Sequence, residues 1–179
     1  MKTLKILVGI LFISITAFSQ TYIPTDAGSK VHFVIKNFGI KTGGDFSGLK
    51  GTILFDPKAI ATSRFNVSVS AKTIDTDNGT RDNHLRKSEY LDTEKYPLIS
   101  FISKKVIEGS ASDLFHMTGN LTIKGVTKEV DFDFSAVPSN GGYLFKGEFD
   151  INRRDFNVGG SSISMSDHLH VSLSVLANK

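Results

Sequence analysis

The chain has 179 residues, no cysteine, and 21 Lys and Arg against 18 Asp and Glu, a formal net charge of +3. Without cysteine there is no disulfide and no thiol chemistry, so stability rests on packing. Lys2 and Lys5 belong to an N-terminal leader, which leaves 19 basic residues against the same 18 acidic ones, and so near-neutral a domain gives no electrostatic case for nucleic acid.

The leader reads as a secretory signal peptide spanning residues 1–19. Lys2 and Lys5 form its basic region, Ile6 to Phe18 its apolar region, and Ala17-Phe18-Ser19 puts small residues at both key positions of a cleavage site before Gln20. The apolar run is short for a membrane span, which needs about 20 residues. The expectation is export with no stable membrane span after cleavage. Residues 20–179 then form one domain, long enough for a substantial core.

The strands follow by period-2 alternation. Val31, Phe33 and Ile35 alternate with His32 and Lys36. Thr52 to Phe55 is a second run, ended by Asp56-Pro57. Phe65, Val67, Val69 and Ala71 alternate with polar neighbours. Ile99 and Phe101 open the next strand. Phe115, Met117, Gly119, Leu121 and Ile123 share a face, as do Val130, Phe132, Phe134 and Ala136. Tyr143, Phe145, Gly147, Phe149 and Ile151 form another run, and Leu169, Val171, Leu173 and Val175 close the chain. Turn signals stand at Gly43-Gly44, Asp56-Pro57, Lys124-Gly125 and Asn140-Gly141-Gly142. This is an all-β chain of roughly eight antiparallel strands. One apolar face per strand fits a closed barrel slightly better than a two-sheet sandwich. The Phe-rich inner face suits a filled lumen, and small inward residues such as Ala71, Gly119 and Gly147 suit a hollow one; composition leaves the two even.

The alternation breaks once, between Asp75 and Ser103. Asp77 or Asn78 can cap a short helix, and Asp82 in its first turn suits the helix dipole. Leu85, Tyr90 and Leu91 form no single stripe at helical spacing. The insert therefore reads as a cover for one barrel end, held by Leu85 and by polar anchors such as Arg81 and Arg86.

Four segments carry a resemblance. They are SKVHFVIKNFGIKTGGDFSGLKGTILFDP from Ser29, TIDTDNGTRDNHLRKSEYLDTEKYPLISFISK from Thr73, GNLTIKGVTKEV from Gly119 and INRRDFNVG from Ile151. In this order they resemble the YceI-like family of exported, lipocalin-like proteins, over about Tyr22 to Leu176. The resemblance implies an eight-stranded antiparallel barrel, with the helical insert capping one end, around an elongated apolar cavity. It implies a long-chain lipid as partner, a polyisoprenoid or isoprenoid quinone, and a bacterial periplasmic location. It implies neither catalysis nor a cofactor, and it tips the even choice toward a hollow barrel. A homodimer stays open.

The inward candidates for lining such a cavity are Phe33, Ile35, Val67, Val69, Leu85, Phe101, Phe132, Phe134, Phe145 and Phe149, of which about half are expected to line it and the rest to pack as core. Arg81, His84 and Arg86 are the candidates for meeting a polar head group at the mouth. The competing reading, in which Arg81 and Asp82 anchor the insert, is the stronger one. Arg153, Arg154 and Asp155 suit a salt-bridge network or a held loop. His168 and His170 share a face, but that face points outward and no further ligand stands near, so a metal site is disfavoured. No catalytic signature is present. Two rivals remain: an enzyme acting on a lipid head group through His84 with Arg81 or Arg86, and a filled barrel serving as a protein-interaction or stress module.

Overall fold

The computed structural model describes residues 20–179; the expected signal peptide over residues 1–19 lies outside the described residues. Nine strand segments follow in chain order: β1 (Gln20–Asn37), β2 (Ile40–Phe46), β3 (Lys50–Phe55), β4 (Arg64–Ser70), β5 (Leu98–Glu108), β6 (Leu114–Ile123), β7 (Val126–Ser139), β8 (Gly142–Asn152) and β9 (Met165–Asn178). Among the described residues a single α-helix, α1 (Gly79–Leu85), sits between β4 and β5. Every pairing is antiparallel, and β1 pairs with β9, so the sheet closes on itself. That closure decides for the barrel over the sandwich.

The nine segments occupy eight positions. β2 pairs with the C-terminal half of β1, Val31 opposite Phe46, and β3 with its N-terminal end, Tyr22 opposite Ile53. Together β2 and β3 are one strand broken at residues 47–49, where the backbone N–H groups of Gly48 and Leu49 donate to the Asp26 carboxylate. The break lets β4 pair with β3 only. Beside β2, the chain after β4 takes over through an isolated bridge between Asp45 and Asp75.

Alternation predicts the inner face well. In β6 every second residue is buried, from Phe115 through Ile123. The turns at Lys124-Gly125 and Asn140-Gly141 are two-residue hairpins with both residues at positive φ, the mirror-image turn whose twist matches the strands it joins. The turn expected at Gly43-Gly44 is a correction: both glycines lie inside β2, and the chain reverses at Phe38-Gly39. A Cβ on Gly44 would meet the Phe33 ring and the Thr76 methyl at 2.7 Å. These glycines are required by close packing within a strand.

The core has two parts. At the end opposite the insert, Phe55 is 1% exposed and meets the rings of Phe65, Phe115, Tyr143 and Phe145 at centroid distances of 4.9 to 6.3 Å, all edge-to-face. Tyr22 joins against Tyr143 at 5.3 Å. Burial, reinforced by Tyr143 and Asp56, raises the Tyr22 phenol pKa above its ordinary value. Each such ring pair contributes roughly 0.5–1.5 kcal/mol beyond the area it buries. The second cluster, around Ile74, Leu91, Leu121, Ile123, Ile151 and Phe156, lies toward the insert.

Candidate functional site

Between these clusters lies a cavity of about 280 Å³ with an almost wholly apolar lining. All ten inward candidates border it: Phe33, Ile35, Val67, Val69, Leu85, Phe101, Phe132, Phe134, Phe145 and Phe149. The division into lining and core therefore does not run through this set. It runs along the barrel axis, with Tyr22, Phe55, Phe115 and Ala136 forming the packed end.

Gly119 and Gly147 do not open the lumen by leaving it empty. A Cβ on Gly119 would meet the Phe101 ring at 2.3 Å, and one on Gly147 the Phe132 ring at 3.1 Å. Each glycine gives an aromatic ring room to lie against the wall, the arrangement by which rings shield strand glycines. Phe132 in turn stacks on Phe149 at 4.7 Å and 26°. Rings lying along the wall project less into the lumen than rings standing upright. Ala71 is buried in a 3₁₀ turn after β4 and does not border the cavity.

The insert closes the other end. Asn78 caps α1 by accepting from the Arg81 backbone N–H. Thr76 is the hub. Its backbone N–H and hydroxyl both donate to the buried Asp82 carboxylate, while the Arg81 guanidinium donates to the Thr76 hydroxyl and carbonyl. Arg81 borders the cavity at this rim. Arg86 donates to the carbonyls of Lys72 and Ile74 and to the Asn83 side chain. His84 is exposed, with its ring edge-on to Tyr90 and 3.8 Å from Glu89. Of the three mouth candidates, only Arg81 reaches the cavity. Arg86 serves as a latch with its donors turned to backbone carbonyls, and His84 stands outside the lining.

Lining residues outside the candidate set include Ile74, Tyr90, Leu91, Phe156, Val158 and Met165. All but Met165 come from turns and loops, where no alternation marks which way a side chain points. Leu91 is buried although it fits no helical stripe, because it follows α1 in a turn rather than belonging to it.

Arg153 holds the remaining part of the rim. It donates to the carbonyls of Val158, Gly160 and Ser166 at 2.9 to 3.0 Å and to Asp167 at 2.6 Å. His170 faces outward between Asp150 and Glu148, at 2.8 and 2.9 Å, and His168 is exposed. Among the described residues, no group of three or more His, Cys, Asp or Glu side chains is arranged to hold a metal ion, and no helix is long and apolar enough to cross a membrane.

A family model described as a YceI-like domain matches residues 22–177. The chain belongs to the YceI-like family. Protein YceI of Escherichia coli O157:H7 is 35% identical over 135 residues, spanning 72% of this chain and 70% of that one. UPF0312 protein ECA1782 of Pectobacterium atrosepticum is likewise 35% identical, over 72% and 69%. Among solved structures, Burkholderia cenocepacia BcnA superposes with a TM-score of 0.79 at 23% identity, over 86% of this chain and 98% of that one. A polyisoprenoid binding domain from Saccharophagus degradans superposes at 0.69 with 13% identity, over 88% and 97%. At such identities the two structures speak for the YceI-like barrel alone.

Proposed function

We propose that this YceI-like protein is exported and binds a long apolar lipid, a polyisoprenoid or an isoprenoid quinone, which it carries or sequesters. The observation behind this reading is the apolar cavity, blocked by the aromatic cluster at one end and bordered by Asn37, Thr76 and Arg81 near the other. A tail entering from the rim would leave its head group among polar side chains. Each buried methylene contributes about 0.8 kcal/mol, and ordering the chain offsets much of that gain. Such a site selects for length and girth more than for functional groups. The Saccharophagus degradans neighbour is a polyisoprenoid binding domain, in keeping with this ligand class; the leader sequence supports export, and the periplasm is what the family resemblance implies.

The test is native mass spectrometry of protein purified from its own host without detergent, followed by solvent extraction and lipid identification. A stoichiometric mass excess that disappears on extraction supports the reading and names the ligand. Bare protein that also refuses isoprenoid quinones and polyprenyl lipids overturns it.

A further inference from the structure

The reversal between β1 and β2 carries two features that cost the fold, a bulky residue at positive φ and a pair of like charges. Phe38 takes the first turn position with φ of 49°, and Gly39 follows with φ of 76°. That geometry favours Asn, Asp or Gly, and a bulky side chain there is strained. Phe38 is nevertheless 79% exposed and Ile40 beside it 71% exposed. One step down the hairpin, Lys36 and Lys41 stand directly opposite each other. Like charges in that position repel, both residues are exposed, and neither belongs to an ion pair among the described residues. The loop before β9 comes to the same place. The Phe38 N–H donates to the Ser164 carbonyl at 2.7 Å, and the adjacent Ile163 is fully exposed. Three large apolar side chains thus crown one end of the barrel above a pair of free cations.

The crown also sits over the cavity. Asn37 pairs with Met165 immediately beneath it, and both residues border the cavity. We infer that this tip docks on a lipid bilayer, with Phe38, Ile40 and Ile163 entering the acyl boundary and Lys36 and Lys41 meeting anionic head groups. Apolar side chains backed by cations are the combination that binds such an interface. Docking brings the Asn37–Met165 rim against the membrane, so a lipid would pass between bilayer and cavity without crossing water. That last consequence rests on the carrier reading; the docking does not.

Flotation of host-purified protein with vesicles tests it. One set contains phosphatidylethanolamine and phosphatidylglycerol, the other phosphatidylcholine alone. Phe38→Asn is expected to lower partitioning onto both sets by at least about tenfold. Lys36→Gln combined with Lys41→Gln is expected to lower it roughly thirtyfold on the anionic vesicles and little on the neutral ones. Asn suits the turn, so Phe38→Asn should melt no lower than the wild type; a lower melting temperature would place Phe38 in the fold's own contacts and overturn the inference. Wild-type protein that does not float, or variants that float equally well, also overturn it. So does a wild-type dimer in light scattering that Phe38→Asn converts to monomer, since the crown would then belong to a second copy. Flotation lost in Phe38→Asn, in protein that never holds a lipid, leaves docking standing while the carrier reading fails.

Discussion

Arg153 is 2% exposed, yet it lies on a barrel rim made of loops. Its four hydrogen bonds gather the 3₁₀ turn after β8, the loop after it and the start of β9. Replacing it with Met keeps the bulk but leaves the Asp167 partner and three carbonyls unsatisfied. Arg153→Met is expected to cost roughly 3 kcal/mol, which for a domain of this size lowers Tm by about 10 °C; calorimetry showing a loss of only a degree or two would remove Arg153 from this role. His170 makes a prediction about pH. Its hydrogen bond to Asp150 is the main cause raising its pKa above the ordinary 6.5; desolvation opposes the shift and Glu148 adds to it. A raised folded value means that protonated His170 stabilises the fold fully below the unfolded value, and that this contribution fades as pH rises through the folded one. The site is well exposed, so solvent screening keeps the effect small. Urea midpoints of wild type and His170→Gln should therefore converge as pH rises from below 6.5 to well above it. Midpoints that diverge over that range would contradict the assignment.

At the scale of elements, the insert depends on its anchors. α1 has seven residues, too few to persist alone in water. Its polar latches were legible as residue types: Asn78 at the cap, Asp82 in the first turn, and Arg81 and Arg86 without an apolar stripe to replace them. Which carbonyls they reach was not legible, because Lys72 and Ile74 are backbone partners and any sequence offers those. Arg86→Ala removes three hydrogen bonds from a partly exposed site. It is expected to speed amide exchange across residues 79–96 by about tenfold, a local opening cost lowered by about 1.4 kcal/mol, while global Tm moves by only a few degrees. Unchanged exchange would mean that Thr76, Asp82 and Arg81 suffice. β2 shows the opposite case. Gly43-Gly44 carries a strong turn signal by composition, but His32 beside Gly43 and Phe33 and Thr76 beside Gly44 occupy the space a side chain would need, a tertiary demand with no local trace.

Across the whole molecule, one inner face performs two tasks at different heights. Near Phe55, rings meet edge-to-face and fill the lumen; nearer the insert, Phe101 and Phe132 lie along glycine-floored walls and leave it open. The two regions should respond to substitution in opposite ways. Val69→Trp places bulk in the cavity; the protein is expected to fold with a Tm near the wild type and to lose its bound lipid. Phe55→Ala removes the centre of the aromatic cluster; it is expected to cost about 3–5 kcal/mol while the protein keeps its lipid. Melting curves and extracted lipid, measured together, separate the outcomes. Lipid retained in Val69→Trp, or lost from a folded Phe55→Ala, would place the ligand elsewhere.

Period-2 alternation, two-residue turn signals and a single polar interruption are local properties, and they alone dictate an antiparallel all-β domain with a capped end. Its four ordered motifs pointed to the family as well. The closing pair of β1 with β9 joins residues far apart in the chain, and no local pattern encodes it. Nor does a strand record how far along the barrel axis its inward residues lie. Filled and hollow regions use the same Phe-rich alternation and differ only in what stands across the lumen. The tertiary structure alone therefore decided where the plug ends and the cavity begins, because both are defined by side chains that meet from opposite walls.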